Sequence, residues 1–386
     1  MDLRNFPNDF DAEQRVSKRR SLIEEELQVS LSALQLSPEQ IGHADEQNCE
    51  HMFGAVPVPV GLAGPLSIHY GSGEVCNTYV PLATTEGALV ASVNRGCKAI
   101  SNSGEVHTSS RYVGITRSLA FESTDGNDIQ NSIQHLEPEW KKVAEATSAH
   151  LKIISYEIDR KDDVVFLTIA ADTDEAMGMN MVTIAAHAIG MFLSEKLEVE
   201  FLTVAGNVDS DKKPSTRSKK MGRGYRVKAE AFLSEEVIGT VLKTDVDALL
   251  KTARAKLEIG SAVAGALGAN LQVANVVAAI YLATGQVVAH VVEGSLADTR
   301  VSKSGTGVRV ETELSSLLVG VRGGGTQLPA QKQCLDLLLH KKTTLKPTAQ
   351  LCESIGAAVL AGEVSLLAAL SANALASAHR NLARKK

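Results

Sequence analysis

Aromatic residues are scarce in this chain of 386 residues, at 4%, although 44% of the residues are hydrophobic. The core must therefore be built mainly from alanine, glycine, leucine and valine, whose small members let helix backbones approach closely. At this length the hydrophobic content is ample for a large core and predicts two or three domains.

Cysteine is also scarce. The five cysteines are odd in number, and none forms a Cys-x-x-Cys pair. This composition argues against a disulfide framework and predicts a reduced, intracellular protein. The histidines and cysteines show no zinc-binding spacing, so we expect no structural metal.

The sequence also lacks an excess of basic residues and long uninterrupted runs of apolar residues. The net charge of -6 argues against a general nucleic-acid-binding protein. The acidic, polar N-terminus resembles neither a signal peptide nor a membrane anchor. The most apolar segment, residues 355–376, is interrupted by Glu363 and predicts a buried helix rather than a membrane span. We therefore expect a soluble, cytoplasmic protein that binds neither nucleic acid nor membranes.

What is present is a regular alternation of helix and strand signals. The strands "LSIHY" and "NTYVPLA" are joined by the turn "GSGE", after a loop rich in proline and glycine at 54–66. A β-loop-α-β unit follows within 119–203, and its "EAMGMN" loop is not a GxGxxG fingerprint. Apolar spacing predicts helices at 11–35, 84–101, 234–256 and 260–284.

Four features carry possible chemistry, and each also has an ordinary structural interpretation. Glu86 is predicted in the first turn of a helix, where the helix dipole favours a carboxylate. The charged loop at 206–225 is either solvated or an anion site. The glycines at 323–325 are either a turn or a phosphate-binding loop before a helix. His379, near a basic C-terminus, is by default a surface histidine.

Several long stretches, in one order, resemble a single family. They are "PVPVGLAGPL", "TTEGALVASVNRGCKAI", "EAMGMNMV", "GNVDSDKKP", "YLATGQ", "GGGTQLPAQ" and "LAGEVSLLAALSANALASAH". Together they resemble the catalytic portion of 3-hydroxy-3-methylglutaryl-CoA (HMG-CoA) reductase, in the NADPH-using class of eukaryotes and archaea. The resemblance covers roughly residues 45–384.

The resemblance implies an α+β fold with a large α/β domain around a long central helix. It implies a helical N-terminal cap at 1–49, a large substrate and CoA domain at 50–118 and 204–386, and an inserted ferredoxin-like NADP(H) domain at 119–203. It also implies a homodimer with active sites between subunits, in many members paired into tetramers. The family reduces a thioester to an alcohol with two hydrides and releases CoA and mevalonate.

Three residues match the family's catalytic positions. Lys212 would stabilise the oxyanion, Glu86 would supply a proton, and His379 would protonate the departing thiolate. The positions that match substrate-binding residues are Ser92, Asn94, Arg95, Arg117, Asp211, Lys213, Lys243, Lys256 and Asn275. The positions that match cofactor-binding residues are Glu175, Met177, Gly178, Met179, Asn180, Gly285, Gly323 and Gly324.

The chain departs from the family pattern at its fourth catalytic residue. An aspartate is expected after "GQ", and Val287 stands there. Valine cannot hold a nearby lysine charged or keep a nearby glutamate protonated, so we expect altered proton transfer. Other departures are Glu175 for aspartate, Asp172 for arginine, Ala205 for serine, Tyr225 for lysine, "EHMFG" at 50–54 and the shortened "NLQVAN".

Three functions are compatible with this pattern. The first is NADPH-dependent reduction of HMG-CoA or a related acyl-CoA, with altered proton handling. The second is a different reaction on a specialised metabolite, without hydride transfer, that uses Glu86, Lys212 and His379. The third is a catalytically silent binding protein.

Overall fold

A computed structural model describes residues 2–122 and 126–372. Its α-helices are α1 (Ala12–Leu27), α2 (Pro38–Ile41), α3 (Ala44–Gln47), α4 (Leu89–Ser103), α5 (Gly126–His135), α6 (Glu137–Glu145), α7 (Met179–Leu197), α8 (Thr216–Met221), α9 (Glu235–Val237), α10 (Val246–Ala253), α11 (Ser261–Val263), α12 (Val273–Thr284), α13 (Val291–Gly294), α14 (Pro329–Leu338) and α15 (Pro347–Ser371). Its strands are β1 (Val60–His69), β2 (Val75–Ala83), β3 (Val106–Glu122), β4 (Lys152–Lys161), β5 (Val164–Asp172), β6 (Glu200–Thr203), β7 (Gly224–Leu233), β8 (Ala297–Ser304) and β9 (Gly307–Leu317). Two π-helical segments (Ile238–Leu242 and Arg254–Gly260) flank α10, and three short 3₁₀ turns lie elsewhere (Ser32–Leu34, Val288–His290 and Gly324–Gln327).

The long strand β3 joins two groups of strands. Its first half pairs with β7 as far as Gly114, and its second half pairs with β5 from Ile115 onward. Gly114 has φ +90°, a left-handed value that side chains other than glycine rarely adopt. The strand can therefore change partners at this point. The first group has the order β2-β1-β3-β7-β9-β8, and the second consists of β4, β5 and β6 beside β3.

Helix α15 is the central element of the larger core. It packs against α4, α12 and the sheet, and almost all of its residues are buried. Its length and composition alone would suit a membrane span, but 83% of its most apolar window is buried inside the protein. The prediction of a buried helix for this segment is therefore confirmed as far as Ser371, and the residues after Ala372 lie outside the described part.

A second core lies under β3 and β5. The helix α7 supplies one side of it, and the fully buried Trp140 of α6 supplies another. The indole N–H of Trp140 donates to the carbonyl of Ile133, so the one tryptophan is buried without an unpaired donor.

Helix α1 begins where the sequence predicts but ends at Leu27, before the predicted residue 35. Asp11 and Gln14 form a capping box at the start of α1, and Ser37 and Gln40 form another at α2. A small cluster around Val16 and Ile41 packs these helices together.

Two predicted helices are interrupted. The prediction of one helix at 260–284 is wrong, because the chain is irregular between α11 and α12. Other segments hold it in that form. The side-chain amide of Asn270 donates to the carbonyls of Ser295 and Ala297, and the Glu363 carboxylate accepts the N–H groups of Leu271 and Gln272. The predicted helix at 234–256 is likewise broken, after Leu242.

Two smaller boundaries also differ. Helix α4 begins at Leu89, after the left-handed Ala88, so Glu86 precedes the helix rather than lying in its first turn. Strand β1 begins at Val60, inside the segment predicted as a loop at 54–66.

Candidate active site

The charged loop that contains Lys212 is held in an unusual backbone conformation. Asn207, Ser210 and Lys212 all have positive φ values, of 64°, 57° and 56°. Non-glycine residues pay a conformational cost in this region, and such residues cluster at functional sites. The backbone N–H of Lys212 donates to the Glu293 carboxylate at 2.9 Å, which holds this turn in place.

Arg223 organises the buried charges beneath this loop. Its side chain is 1% exposed, and its Nη1 lies 2.7 Å from Asp211 Oδ1 and 2.9 Å from Glu293 Oε1. The rest of the guanidinium donates to the hydroxyl and carbonyl of Thr116 and to the sulfur of Met179. A planar fork of five donors suits this convergent set of acceptors.

His290 completes the network from the segment after Val287. Its Nδ1 lies 3.1 Å from Glu293 Oε1 and 3.8 Å from Asp211 Oδ1. Both His290 and Glu293 are fully buried. Two atoms of the pair, His290 Nε2 and Glu293 Oε2, are buried without a hydrogen-bond partner among the described residues.

The network keeps two carboxylates charged. Burial alone would raise the pKa of Glu293, but the hydrogen bonds from His290 and the Lys212 backbone outweigh it and lower that pKa. Burial would also raise the pKa of Asp211. The attraction of Arg223, together with that of Lys212 and His290, outweighs burial and lowers this pKa. The Lys212 ammonium lies 3.6 Å from Asp211 Oδ2.

Arg117 of β3 reaches Asp211 and a further carboxylate, that of Asp209. Its Nη1 lies 3.5 Å from Asp209 Oδ2 and 3.5 Å from Asp211 Oδ2, and Thr183 accepts from its other nitrogens. Asp209 differs from Asp211, because burial outweighs the two arginines and raises the pKa of its carboxyl. The Lys213 ammonium donates to the Asp211 carbonyl.

A cleft of about 370 Å³ opens beside this network. It brings together residues from four separate parts of the sequence: Met177, Gly178, Met179 and Asn180; Lys212; Gly285, Val287 and His290; and Gly323 and Gly324. The cleft therefore contains seven of the eight positions predicted to bind the cofactor, together with Lys212.

Glu175 is the cofactor-matched residue that does not line the cleft. Its carboxylate accepts the backbone N–H of Thr348 at 3.0 Å, in the first turn of α15. Its backbone carbonyl accepts from Val321 and Arg322. Glu175 thus links the loop between β5 and α7 to the start of α15 and to the loop before Gly323.

The start of α7 has the features of an anion-binding end. Gly178 precedes it with φ +87°, and no side chain caps the first turn. A side chain at Gly178 would lie 2.4 Å from Thr173, so only glycine fits there. Gly323 and Gly324 also have positive φ, of 76° and 55°, and a side chain at either would meet nothing within 4 Å. Their backbones are therefore open to the cleft.

Glu86 belongs to a second group of predicted residues. Asn275, near the start of α12, donates its side-chain amide to Glu86 Oε2 at 2.6 Å. Nearby on α4, Ser92 and Arg95 bond to Ser365 of α15, and the Asn94 amide oxygen accepts the N–H of Gly64. Glu86 therefore contacts Asn275, and Ser92 and Arg95 share one partner, Ser365.

The two groups are separate within one chain. Among the described residues, no hydrogen bond or ion pair joins Glu86 to Lys212. Asn275 and Gly285 lie at opposite ends of α12, which corresponds to about 15 Å along the helix axis. Lys243 and Lys256 are exposed, and His379 lies outside the described residues.

Three of the positions that depart from the family pattern differ in their surroundings. Val287 lines the cleft with 44% of its surface exposed, so the expected carboxylate is absent from a solvent-accessible position. Tyr225 is buried, and its hydroxyl bonds to Thr348 at 2.9 Å. Ala205 is exposed.

Arg223, His290 and Glu293 were not predicted from the sequence. Arg223 follows a glycine in a basic loop and looks like a surface charge. His290 and Glu293 are three residues apart in a short apolar stretch, and a paired histidine and glutamate at helical spacing was the available signal. With Asp211 they form one of two clusters in the described residues with metal-ligand spacing; the other is His69, Glu105 and His107.

Comparison with known proteins identifies the family. The family model described as hydroxymethylglutaryl-coenzyme A reductase matches residues 15–384. A 3-hydroxy-3-methylglutaryl-coenzyme A reductase from Methanocaldococcus jannaschii is 40% identical over 357 residues, which cover 88% of this chain and 86% of that protein. The enzyme of that name from Halobacterium salinarum is 37% identical, over 99% of this chain and 96% of that protein.

The fold is similar to that of a solved bacterial enzyme. The class II 3-hydroxy-3-methylglutaryl-CoA reductase from Streptococcus pneumoniae, solved with NADPH in open conformations, superposes with a TM-score of 0.68. The match covers 92% of this chain and 96% of that one, at 18% sequence identity. The predicted HMG-CoA reductase fold is thereby confirmed.

Proposed function

Since this chain belongs to the hydroxymethylglutaryl-coenzyme A reductase family, we propose that it reduces HMG-CoA or a related acyl-CoA thioester with NADPH. The observation that carries the proposal is the shared cleft, in which Lys212 lies with the residues matched to cofactor binding. The lysine is therefore close to the place where a nicotinamide ring would be held.

The cleft fits a dinucleotide in chemistry. Uncapped N–H groups at the start of α7 suit a phosphate, and the left-handed Gly323 and Gly324 let the ligand approach the backbone. Met177 and Met179 supply apolar surface for a ring. NADPH, when bound, supplies the hydride. Asp172, where an arginine is expected, does not favour a 2′-phosphate, although Lys346 lies 4.0 Å from its carboxylate.

The chain's own residues then manage the charge that develops on the substrate. Lys212, 45% exposed and oriented by its bonded backbone, stabilises the oxyanion of the thioester carbonyl. Glu86 is the proton donor matched by the family, and Asn275 orients it. His379 protonates the departing CoA thiolate.

The remaining matched residues bind the substrate. Arg117 and Lys213 face its free carboxylate, with Asp211 completing that pocket. The CoA portion contacts positions on α4 and on the helices that flank α10, where cations suit its phosphates. They are Ser92, Asn94, Arg95, Lys243 and Lys256.

A dimer reconciles the two separate groups of residues. A thioester carbonyl cannot contact both ends of α12, which lie about 15 Å apart. A homodimer that places Glu86 of one subunit opposite Lys212 of its partner forms a complete site, and such dimers can pair into tetramers. We assign residues 119–203 to cofactor binding, 50–118 and 204–386 to substrate binding, and 1–49 to the cap. The setting is cytoplasmic.

The test is a turnover assay paired with a cofactor titration. Purified protein with HMG-CoA should oxidise NADPH, as measured by the loss of absorbance of the reduced nicotinamide. Fluorescence titration should show NADPH binding without substrate. NADPH binding with no turnover at high enzyme concentration would refute the reductase proposal.

Val287 supports one second candidate, a reaction without hydride transfer. The cleft keeps Lys212 but offers an apolar side chain where the family pattern has a carboxylate. An acyl-CoA that binds tightly while NADPH does not bind would favour this candidate over the reductase. Binding of both ligands with no chemistry would instead point to a silent binding protein.

A further inference from the structure

One polar atom in the wall of the cleft, and one on the residue bonded to it, have no hydrogen-bond partner among the described residues. His290 lines the cleft with Lys212 and Val287, and its Nε2 is buried and unpartnered. Glu293, which bonds the other ring nitrogen of His290, has an unpartnered Oε2. Leaving a buried polar atom unpaired is unfavourable, so the Nε2 of His290 is a candidate group for a ligand to satisfy.

Glu293 fixes the orientation of the imidazole ring. The carboxylate receives the backbone N–H of Lys212 and a guanidinium N–H of Arg223, both at 2.9 Å, so it cannot turn freely. With Nδ1 bonded to Glu293 at 3.1 Å, the free ring nitrogen is Nε2. A carboxylate bonded to one ring nitrogen in this way fixes the direction of the other nitrogen.

We propose that His290, oriented by Glu293, exchanges a proton through Nε2 with the substrate oxygen held at Lys212, and so replaces the carboxylate absent at Val287. The proposal rests on the proposed reductase function. It makes His290 a catalytic residue and Glu293 a positioning residue.

The step balances as an ordinary general-acid reaction. NADPH, when bound, would supply the hydride for a C–H bond at the carbonyl carbon, and the C=O π pair would move onto oxygen. In one of the two reductions the oxygen takes the proton from Nε2, which leaves a neutral imidazole whose Nδ1–H remains bonded to Glu293. Glu86 supplies the proton in the other reduction. Water reprotonates the ring before the next cycle.

Charged groups surround His290 on several elements. Asp211 and Lys212 face it from the charged loop, Arg223 from the residue before β7 and Glu293 from α13. The buried hydroxyl of Tyr281 lies on α12, beside Gly294. Two carboxylates, Asp211 and Glu293, and two cations, Arg223 and Lys212, therefore lie around the ring.

A divalent cation is the competing occupant of this cluster. Asp211, His290 and Glu293 offer three ligand atoms within 4.8 Å of one another. However, Arg223 Nη1 already lies within 2.9 Å of both carboxylate oxygens and takes the place of a cation. The arrangement therefore favours proton transfer over metal binding.

The experiment compares His290→Gln with His187→Gln, an exposed histidine on α7. Glutamine keeps a hydrogen-bonding side chain but cannot exchange a proton at neutral pH. We expect His290→Gln to lower kcat about 100-fold or more, with less than about a threefold change in the Kd for NADPH. Val287→Asp in the His290→Gln background should restore part of the lost kcat, and His187→Gln should change neither quantity.

A spectroscopic readout separates this inference from the reductase proposal. In ¹⁵N-labelled wild-type protein, the ring signals of His290 should shift when an acyl-CoA and NADPH bind, and Glu293→Gln should shift them without ligand. Absence of wild-type turnover would refute the reductase proposal alone. The His290 proposal would be overturned if the ring signals shifted neither on ligand binding nor in Glu293→Gln. A folded His290→Gln variant with wild-type kcat would overturn it as well. A rise in the Tm of wild type with ZnCl₂ that His290→Gln abolishes would also overturn it, in favour of a metal site.

Discussion

Val287 can be replaced by a carboxylate without disturbing the core, because nearly half of its surface is exposed in the cleft. An aspartate at this position would hold Lys212 charged and would offer a second proton-transfer group. We expect Val287→Asp to raise kcat for NADPH-dependent reduction on the order of tenfold.

The neighbouring residue provides the control for that substitution. Val288 has a similar exposure, 37%, but does not line the cleft. Val288→Asp should leave kcat unchanged. Equal effects of the two aspartates would show that added charge, rather than its position, changes the rate.

Glu293 makes the stability of the protein depend on pH. Because its folded-state pKa lies below the ordinary value of 4.5, its contribution to stability is present above that value and is lost as pH falls through the folded-state pKa. Glu293→Gln removes this titration and leaves Arg223 with one buried anion fewer. We expect it to cost about 3 kcal/mol at neutral pH.

Urea denaturation of both proteins at several pH values checks this expectation. The gap in unfolding free energy between wild type and Glu293→Gln should narrow as the pH falls below 4.5, the ordinary pKa of a glutamate. Asp211 titrates in both proteins and largely cancels from the difference. Glu195→Gln, at an exposed position of α7, should track wild type throughout. A constant gap would show that Glu293 is not stabilised in its charged form.

At the scale of elements, the crossing of α4 and α15 depends on one glycine. A side chain at Gly96 would place its Cβ 1.8 Å from the carbonyl oxygen of Ala361. A backbone atom cannot give way as a flexible side chain can, so the two helices would have to separate. We expect Gly96→Ala to lower the unfolding free energy by about 3 kcal/mol.

A second helical glycine serves as the matched control. Gly239, in the π-helical segment after α9, would meet nothing within 4 Å. Gly239→Ala should be neutral or should stabilise the protein by up to about 1 kcal/mol, because alanine favours helical backbone. Thermal unfolding of both variants measures the difference, and similar Tm values would refute the close-contact explanation.

Elements whose signal is local could be predicted from the sequence. The start of α1 and the apolar stretch of α15 lie where their residues indicate. The prediction of a single helix at 260–284 was wrong because residues distant in sequence bind this segment in an irregular conformation. Glu363 accepts the N–H groups at the start of α12, and Asp298 accepts that of Ala269. Periodicity contains no information about partners so far along the chain.

The same distinction applies to the candidate site. Long motifs identified Lys212, Glu86 and the glycine loops by resemblance, and the structure brings Lys212 and those loops into one cleft. The Arg223–Glu293–His290 network was missed because its members are 70 and 3 residues apart along the chain, on elements that meet only in the fold. Their burial, which makes them chemically interesting, is a property of tertiary structure.

At the scale of the whole molecule, the separation of Glu86 from Lys212 leads to a prediction about subunits. If each site combines Glu86 of one subunit with Lys212 of its partner, neither Glu86→Gln nor Lys212→Ala homodimers contain a working site. A mixed dimer has one site with both substitutions and one site with neither. Mixing the two inactive proteins under conditions that exchange subunits should therefore restore activity.

The amount of restored activity distinguishes shared from unshared sites. Random reassortment makes half of the dimers mixed, and each has one working site of two, so about a quarter of wild-type activity should return. If Glu86 and Lys212 of the same chain act together, every site in the mixture keeps one substitution and activity stays at background. The NADPH oxidation assay before and after exchange, with sedimentation to verify dimers, measures this. The Glu86→Gln, Lys212→Ala double variant mixed with Lys212→Ala is the control that cannot recover, since no subunit then supplies Lys212.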